Sequence, residues 1–187
     1  MKRNQVILIH GMPATGKYTM AKRLQQEKGG ILLDNHYFHD MFTNSIEKSE
    51  DELSEYFSEI GKLKKQFMKI LIRFYPKSKK LRYIFTSVML KDEDLLERLD
   101  KFAKKVKGDF IPIELIAQKN VLKKRCRTEC RKLRHKISNT NNLEKFLKKY
   151  ENCWPEYEHP NKLSIDTSLL NEDETFDKIV KHLEKFN

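Results

Sequence analysis

The feature that most constrains the fold of this chain is a glycine-rich segment, Gly11-Met-Pro-Ala-Thr-Gly-Lys17, which follows a run of four apolar residues, 6–9. The segment matches the pattern G-x-x-x-x-G-K, in which glycines let successive backbone N–H groups turn toward an anion. A helical pattern begins at Lys17, so the positive end of a helix dipole would be directed at the same anion. A strand, a glycine turn and a helix in this order predict a cradle for nucleotide phosphates rather than an ordinary turn.

Apolar runs of strand length alternate with helical patterns along the whole chain. The runs predicted as strands are 6–9, 31–33, 83–85, 110–117 and 163–165. Such alternation is typical of a parallel sheet covered by helices on both faces. We therefore predict a single α/β domain over residues 1–187. Its ligands should bind in the loops beyond the carboxyl ends of the strands.

Several helices carry signals for where they begin. Helix caps are predicted at Ser49, Asp92, Asn141 and Asn171. The helix that Ser49 would open is long and amphipathic, and Pro76 would end it. Its predicted core face carries Leu53, Phe57, Ile60, Leu63, Phe67, Ile70, Leu71 and Phe74. A further helix is predicted over a basic stretch that runs from Lys119 to about His135.

The charge and the cysteines limit the class of protein. The formal net charge is +11 and the pI is about 9.4, which attracts phosphates, nucleic acids and anionic membranes; a lysine-rich background composition is the alternative. No apolar run approaches the ~20 residues of a membrane helix, and the first run is too short for a signal peptide. For this reason we expect no membrane binding. Because three cysteines cannot all pair, we also expect a reduced, cytoplasmic protein.

The residue after Lys17 departs from the phosphate-loop pattern. A Ser or Thr usually stands there and offers its hydroxyl to Mg²⁺, whereas this chain has Tyr18. A tyrosine hydroxyl lies too far from its own backbone to serve from the same place. The Lys17 ammonium can still reach the β- and γ-phosphates of a nucleotide. We therefore expect direct metal ligation by the loop to be weak, and we assign no protein residue as a metal ligand. The alternative interpretation of Tyr18 is that the protein is inactive.

The whole motif from Gly11 to Thr19, Gly-x-Pro-x-x-Gly-Lys-x-Thr, resembles the signature of the adenylate kinase class of small-molecule kinases. In element order, nearly the whole chain resembles P-loop kinase-like proteins of the shikimate-kinase-like and chloramphenicol-phosphotransferase-like groups. The shorter matches are Asp34-Asn-His36, Ile84-Phe-Thr86, Arg131-x4-Lys136 and Ile165-Asp-Thr167.

This resemblance implies a three-layer P-loop fold with a five-stranded parallel sheet in the order 2-3-1-4-5. It implies ATP as the phosphate donor, Mg²⁺ held mainly through water, and a mobile lid at about residues 120–140. The Thr19 hydroxyl would bind the α- or β-phosphate. The residues expected to bind ATP are Gly11, Met12, Pro13, Ala14, Thr15, Gly16, Lys17, Tyr18, Thr19, Arg127, Arg131, Lys136 and Thr167.

The acceptor is expected beyond the second strand, where Asp34, Asn35 and His36 follow one another. Phosphoryl transfer needs a group that orients the acceptor hydroxyl or takes its proton. Asp34 is the candidate for holding the hydroxyl, Asn35 for binding the substrate and His36 for a base at neutral pH. The alternatives are an Asx turn at Asp34 and Asn35 and a purely structural His36. Arg73 is expected either to clamp an anionic substrate or to be solvated.

Two further segments bear on catalysis. The third strand lacks the acidic residue that usually follows it in such kinases and ends instead in Thr86-Ser87, which weakens the metal assignment. The basic stretch supplies the lid candidates Arg127, Arg131, Arg134 and Lys136, since arginine keeps its charge beside the transferring phosphate. A solvated basic helix and a nucleic-acid patch are the alternatives. A metal site at Cys126, Cys130 and His135 is disfavoured, because their spacing is unlike that of zinc ligands.

The sequence thus predicts an ATP-dependent phosphotransferase that moves the γ-phosphate to a hydroxyl or phosphate group of a small molecule. Lys17, Asp34 and Arg131 would be catalytic. The alternatives are a regulatory nucleotide-binding ATPase with weak or no transfer and, because of the charge, a polynucleotide or RNA-linked kinase. The spaced arginines of a shikimate clamp are missing, so shikimate is not predicted as the acceptor. Neither the acceptor nor the oligomeric state follows from the sequence.

Overall fold

A computed structural model describes residues 3–43, 53–76, 79–88, 93–132, 136–151 and 157–187. Its strands are β1 (Asn4–His10), β2 (Ile31–Asp34), β3 (Arg82–Ser87), β4 (Gly108–Ile116) and β5 (Leu163–Asp166). All neighbouring strands pair in parallel, in the order β2-β3-β1-β4-β5. The sheet order implied by the resemblance is therefore confirmed.

The helices connect successive strands and cover both faces of the sheet. They are α1 (Lys17–Lys28), α2 (His36–Thr43), α3 (Leu53–Phe74), α4 (Glu93–Lys105), α5 (Lys119–Cys126), α6 (Glu129–Lys132), α7 (Thr140–Lys149) and α8 (Glu172–Leu183), with a 3-10 turn at Glu184–Phe186. Within the described residues, none of these helices combines the length and the apolar character needed to cross a membrane.

Strand β1 is the centre of the sheet and is buried along its entire length. Because side chains alternate along a strand, its residues divide between two core clusters. The first core cluster joins the sheet to α1 and α8 and contains Ile7, Ile9, Met20, Ala21, Leu24, Ile113, Phe176 and Ile179 among others. The second core cluster joins the sheet to α4 and contains Val6, Leu8, Tyr83, Leu99, Phe102, Val106 and Phe110 among others. This double packing places the carboxyl end of β1 at the middle of one edge of the sheet.

The predicted helix starts have different outcomes. The helix cap at Asn171 is confirmed as a capping box. The Asn171 side chain accepts from the Glu174 N–H at 2.9 Å, and the Glu174 carboxylate accepts from the Asn171 N–H at 2.8 Å. The cap at Asn141 is wrong: α7 begins two residues earlier, because Asn139 accepts from the Asn142 N–H at 2.8 Å. The caps predicted at Ser49 and Asp92 lie outside the described residues.

The predicted core face of α3 is wrong in part. Ile60 is buried, but Leu63, Ile70 and Phe74 are 38%, 52% and 69% exposed. The residues of α3 that pack against the second core cluster are Met68, Leu71 and Ile72. They continue from Ile60 at helical spacing, so the stripe that meets the sheet is rotated from the predicted one. The side chains of Leu53 and Phe57 lie outside the described residues.

The basic stretch is not one helix. Helix α5 ends at Cys126, where the N–H groups of Arg127 and Thr128 bond to carbonyls three residues back, at 3.4 Å each. This tightening ends the α-helix, and the short α6 starts at Glu129. The prediction of a continuous helix to about His135 is therefore wrong, and residues 133–135 themselves lie outside the described residues.

Candidate functional site

The glycine-rich segment forms the loop between β1 and α1 at the centre of the sheet edge. Gly11 has a φ of 150°, and a side chain there would overlap the carbonyl oxygen of Leu115. Gly16 precedes α1 with a φ of 97°, a conformation that residues with a side chain rarely adopt. Ala14 also has a positive φ, 71°, and is buried against Leu122 of α5. The loop is thus tied to β4 on one side and to α5 on the other.

The Lys17 side chain is folded back over this loop. Its ammonium donates to the carbonyl oxygens of Gly11 at 2.7 Å and Met12 at 2.8 Å. Burial lowers the pKa of Lys17 to about 7, and the charges of Arg131 and Lys136 lower it further while Asp34 opposes them. The charges of two basic side chains and one carboxylate therefore act on the Lys17 ammonium.

Asp34 ends β2 and is 2% exposed. The β2–β3 register places it beside Thr86, whose hydroxyl donates to the Asp34 carboxylate. The same hydroxyl oxygen accepts from the Asn35 N–H at 3.2 Å. Thr86, which stands where an acid was expected, therefore fixes the orientation of the carboxylate on the neighbouring strand.

Side chains from α3 meet the residues after Asp34, and the sequence interpretation missed them. The Lys64 ammonium donates to the Asn35 side-chain oxygen at 2.6 Å and lies 3.3 Å from His39 Nε2. The other ring nitrogen of His39 is 3.3 Å from the Tyr56 hydroxyl. His36 stands edge-on to His39, with ring centroids 6.2 Å apart. Tyr56 and Lys64 share a helix face at i, i+8, but no local signal indicates that this face meets α2.

Arg73 is not brought to this site. It is exposed near the end of α3, and its guanidinium lies 5.3 Å from the ring centroid of Phe74. The next aromatic residue, Tyr75, donates to the carbonyl of Lys105, which lies shortly before the start of β4. The end of α3 thus lies at the amino edge of the parallel sheet, opposite the phosphate loop. The structure therefore does not bring Arg73 to the phosphate loop and is consistent with the solvated alternative, while the substrate clamp stays an untested prediction.

Among the lid candidates, Arg131 and Lys136 meet around the phosphate loop. Arg131 Nε donates to the Ile137 carbonyl at 2.8 Å, and the Lys136 N–H donates to the Arg131 carbonyl at 3.0 Å. The Lys136 ammonium lies 4.5 Å from the ring centroid of Tyr18. Arg127 is exposed in the turn after α5, and Arg134 lies outside the described residues.

Thr167 makes hydrogen bonds that hold the loop after β5 against neighbouring elements of the protein. It is buried, and its N–H and hydroxyl donate to the Ile116 carbonyl at 2.8 and 3.1 Å. The Arg125 guanidinium donates to its hydroxyl oxygen at 2.8 Å and to its carbonyl at 2.7 Å. Arg125 was missed because nothing in the basic stretch distinguishes it from its neighbours. It joins the loop after β5 to α5, which packs against Ala14 of the phosphate loop.

A buried polar group supports the start of the phosphate loop from the other face. The His10 side chain, at the end of β1, lies 2.7 Å from the Tyr157 hydroxyl. Burial lowers the pKa of His10 to about 4, opposed by Glu114 and assisted by Lys162 and Lys17. Burial and the charge of Glu114 raise the pKa of Tyr157. His10 is therefore neutral at physiological pH and acts as a hydrogen-bonding residue.

Cys126 is a buried residue of a third cluster that contains Ala14, Leu122 and Leu143. Its thiol donates to the Lys123 carbonyl at 3.1 Å. Across the described part of the chain, no group of three or more His, Cys, Asp or Glu side chains could hold a metal ion. The Cys130 side chain and His135 lie outside that part, and Cys126 itself packs as an apolar residue.

The chain was compared with known proteins. No protein-family model matches it. A pachytene checkpoint protein 2 homolog of Danio rerio is 44% identical over 68 residues, which are 36% of this chain and 15% of that protein. This chain therefore aligns with only a small part of its curated relative.

Solved structures match over the whole length of the chain. A protein of Chloroflexus aurantiacus, provisionally described as a kinase, is 20% identical with a TM-score of 0.71 over 100% of both chains. A gluconokinase of Sinorhizobium meliloti is 13% identical with a TM-score of 0.60, over 99% of this chain and 94% of the other. The tunicamycin resistance protein of Deinococcus radiodurans is 16% identical with a TM-score of 0.54, over 98% and 95%. The central phosphate loop, the sheet order and these likenesses together show that the chain has the fold of the P-loop small-molecule kinases.

Proposed function

We propose that this protein is an ATP-dependent phosphotransferase that moves the γ-phosphate of ATP to a hydroxyl or phosphate group of a small molecule. The observation that carries the proposal is the phosphate loop itself, in which Gly11 and Gly16 adopt positive φ and the Lys17 ammonium is folded over the loop carbonyls, within reach of the charges of Arg131, Lys136 and Asp34. Three cations suit the charge that spreads over a transferring phosphoryl group. One buried carboxylate beside them suits the orientation of an acceptor hydroxyl.

The residues divide into a donor side and an acceptor side. On the donor side, the backbone N–H groups of the loop from Gly11 to Gly16, apart from Pro13 which has none, and those at the start of α1 would bind the β- and γ-phosphates. The Lys17 ammonium would exchange the carbonyls of Gly11 and Met12 for phosphate oxygens. The exposed Thr19 is available for the α- or β-phosphate. Arg131 and Lys136 would neutralise the γ-phosphate, whereas we assign Thr167 to holding the loop after β5.

On the acceptor side, Asp34 would accept a hydrogen bond from the attacking hydroxyl. The Thr86 hydroxyl bonds to the same carboxylate and limits its rotation. Asn35 would bind the acceptor with its side chain held by Lys64, and His36 would take the proton or contact the substrate. The gluconokinase and a sugar kinase from Janibacter, with a TM-score of 0.58, support a polyhydroxy acceptor.

The fit of Mg²⁺ can be judged from the side chains at the loop. Tyr18 packs its ring against the first core cluster and does not replace the usual hydroxyl ligand. Asp34 provides a carboxylate, and Mg²⁺ is usually bound by one or two carboxylates, several waters and substrate phosphates. The residues fit an ion that would arrive with ATP, with Asp34 as the carboxylate that would help to hold it. When bound, it would supply positive charge at the transferring phosphate.

A regulatory nucleotide-binding protein with weak transfer is the second candidate. It is favoured by one observation, that β3 ends in Thr86 and Ser87 and lacks the acid usual in such kinases. Nucleic-acid binding is supported by the net charge of +11 alone and is not favoured.

The buried thiol of Cys126, which forms no disulfide, supports the expectation of a reducing, cytoplasmic environment.

Phosphate transfer from γ-labelled ATP to a panel of sugars, polyols and nucleosides tests the proposal. We expect wild-type protein to label at least one of them. Lys17→Ala should weaken ATP binding by ~1.5–3 kcal/mol through loss of a charge-assisted contact, whereas Lys22→Ala, an exposed lysine on the same helix, should not. ATP binding without labelling of any acceptor would favour the regulatory candidate, and equal behaviour of the two lysine variants would contradict the loop assignment.

A further inference from the structure

The ring of Tyr18 has two contacts that bear on the phosphate site. One is with the first core cluster, against which the ring packs partly buried. The other is with the Lys136 ammonium, 4.5 Å from the ring centroid. A cation within about 6 Å of an aromatic face is attracted by the negative face of the ring. Tyr18 therefore joins helix α1 to a residue that approaches the loop from the lid.

Lys136 is held from its backbone as well. Its N–H donates to the Arg131 carbonyl, while the Arg131 guanidinium donates to the Ile137 carbonyl. These two hydrogen bonds fix the backbone at Lys136, from which its side chain extends to the Tyr18 ring. That direction matters, because the charge of Lys136 reaches Lys17 strongly enough to lower its pKa.

An aromatic ring differs from a carboxylate as a partner for this cation. A carboxylate neutralises a cation that it binds, whereas contact with a ring face orients the ammonium without neutralising it. Tyr18 also stands at the chain position where the loop pattern has a hydroxyl that ligates Mg²⁺. The same position thus contributes to positive charge at the phosphates by a different route.

We propose that Tyr18 is a positioning residue that holds the Lys136 ammonium over the phosphate loop through the face of its ring. The proposal rests on the proposed function, since it names how one cation of that site is placed. The Tyr18 ring orients the ammonium and takes no part in the transfer step. The proposal assigns this role to the ring face and not to the hydroxyl of Tyr18.

The contact is tested first without nucleotide. In NMR spectra, the ring current of Tyr18 should shift the ε-methylene protons of Lys136 upfield in wild-type protein and in Tyr18→Phe. In Tyr18→Leu, which keeps an apolar side chain, these protons should return to ordinary lysine values. Unshifted protons in the wild type would overturn the contact, whatever the protein's activity.

The role at the phosphates is tested by a double-mutant cycle on ATP affinity, measured by calorimetry. Tyr18→Phe should bind ATP as wild type does, and Tyr18→Leu should lose about 3- to 10-fold. In a Lys136→Met background, Tyr18→Leu should have no further effect, because the cation that it positions is gone. Tyr150→Leu is the matched control and should bind ATP as the wild type does, since it removes a cation–π pair with Lys149, 5.4 Å from the ring centroid, at the end of α7.

Additive losses in the cycle, with normal ATP binding by the wild type, would overturn the positioning role and leave the proposed function intact. Failure of the wild type to bind ATP would overturn both, and that result is distinguished by the wild-type titration alone. Equal losses in Tyr18→Phe and Tyr18→Leu would show that the hydroxyl matters and would also overturn the proposal.

Discussion

Binding of ATP at alkaline pH should protonate Lys17. In the protein without nucleotide, burial and the charges of Arg131 and Lys136 lower the Lys17 pKa from 10.5 to about 7. At pH 8.5, only ~3% of the molecules would then carry the charge. Phosphate oxygens at hydrogen-bond distance favour the charged form and should return the pKa toward its ordinary range. Binding should therefore take up close to one proton, and the ATP affinity should fall as the pH rises above about 7.

The proton uptake can be measured by titration calorimetry in buffers of different ionisation enthalpy. The slope of the observed enthalpy against the buffer ionisation enthalpy equals the number of protons taken up. Lys136→Gln removes a neighbouring positive charge, so it should raise the pKa of Lys17 in the free protein and reduce the uptake at pH 8.5. Lys17→Met should abolish the uptake, and Lys22→Met is the control that should leave it unchanged.

Two results would refute this reasoning. Proton uptake in Lys17→Met equal to that of wild type would place the proton on another group. A wild-type affinity that is constant between pH 7 and pH 9 would show that Lys17 is already charged before ATP binds.

Three further changes test the surroundings of the loop. Thr86→Val removes the donor to the buried Asp34 carboxylate and should cost ~1–3 kcal/mol of unfolding free energy, measured in urea. It should also lower kcat more than it raises KM, and an unchanged kcat would contradict the role of Thr86 in orienting Asp34. Because the folded pKa of His10 is about 4, its unfolded state binds a proton first on acidification, so up to ~3 kcal/mol of unfolding free energy should be lost between about pH 6.5 and pH 4. His10→Gln should flatten that pH profile, and an equally steep profile would assign the loss to other groups. Arg131→Ala should lower turnover at saturating ATP more than it weakens ATP binding, since its contact strengthens in the transition state; an unchanged turnover would make Arg131 a binding residue only.

Features that depend on neighbours in the sequence could be predicted well. The phosphate loop needs glycine where a side chain would overlap a carbonyl, and Gly11 is placed accordingly. The capping box of Asn171 and Glu174 closes within three residues of the chain. The apolar run of β1 is long enough to identify a buried strand without knowledge of its neighbours. In each case the pattern lies within a few consecutive residues, although the approach of the Leu115 carbonyl to Gly11 and the burial of β1 come from distant segments.

Features that depend on contacts between distant segments were predicted poorly. Leu63 and Ile70 have the spacing of a core face, but the sheet meets a different stripe of α3. Arg73 has the right chemistry for a substrate clamp, but the direction of α3 carries it to the opposite edge of the sheet. Amphipathic spacing indicates that a helix has an apolar side and leaves its rotation and direction to packing.

The sequence by itself determined the phosphate loop, the alternation of strands and helices, and Asp34 as the polar end of the second strand, because local chain geometry and hydrophobic periodicity specify them. Only the tertiary structure decided which cations surround Lys17 and which donors hold Asp34 and Asn35. Tyr18 and Lys136 are 118 positions apart, and Thr86 reaches Asp34 across a strand pair. Such partners are chosen by the packing of whole elements, whose free energy is spread over many apolar contacts and is not written in any short segment.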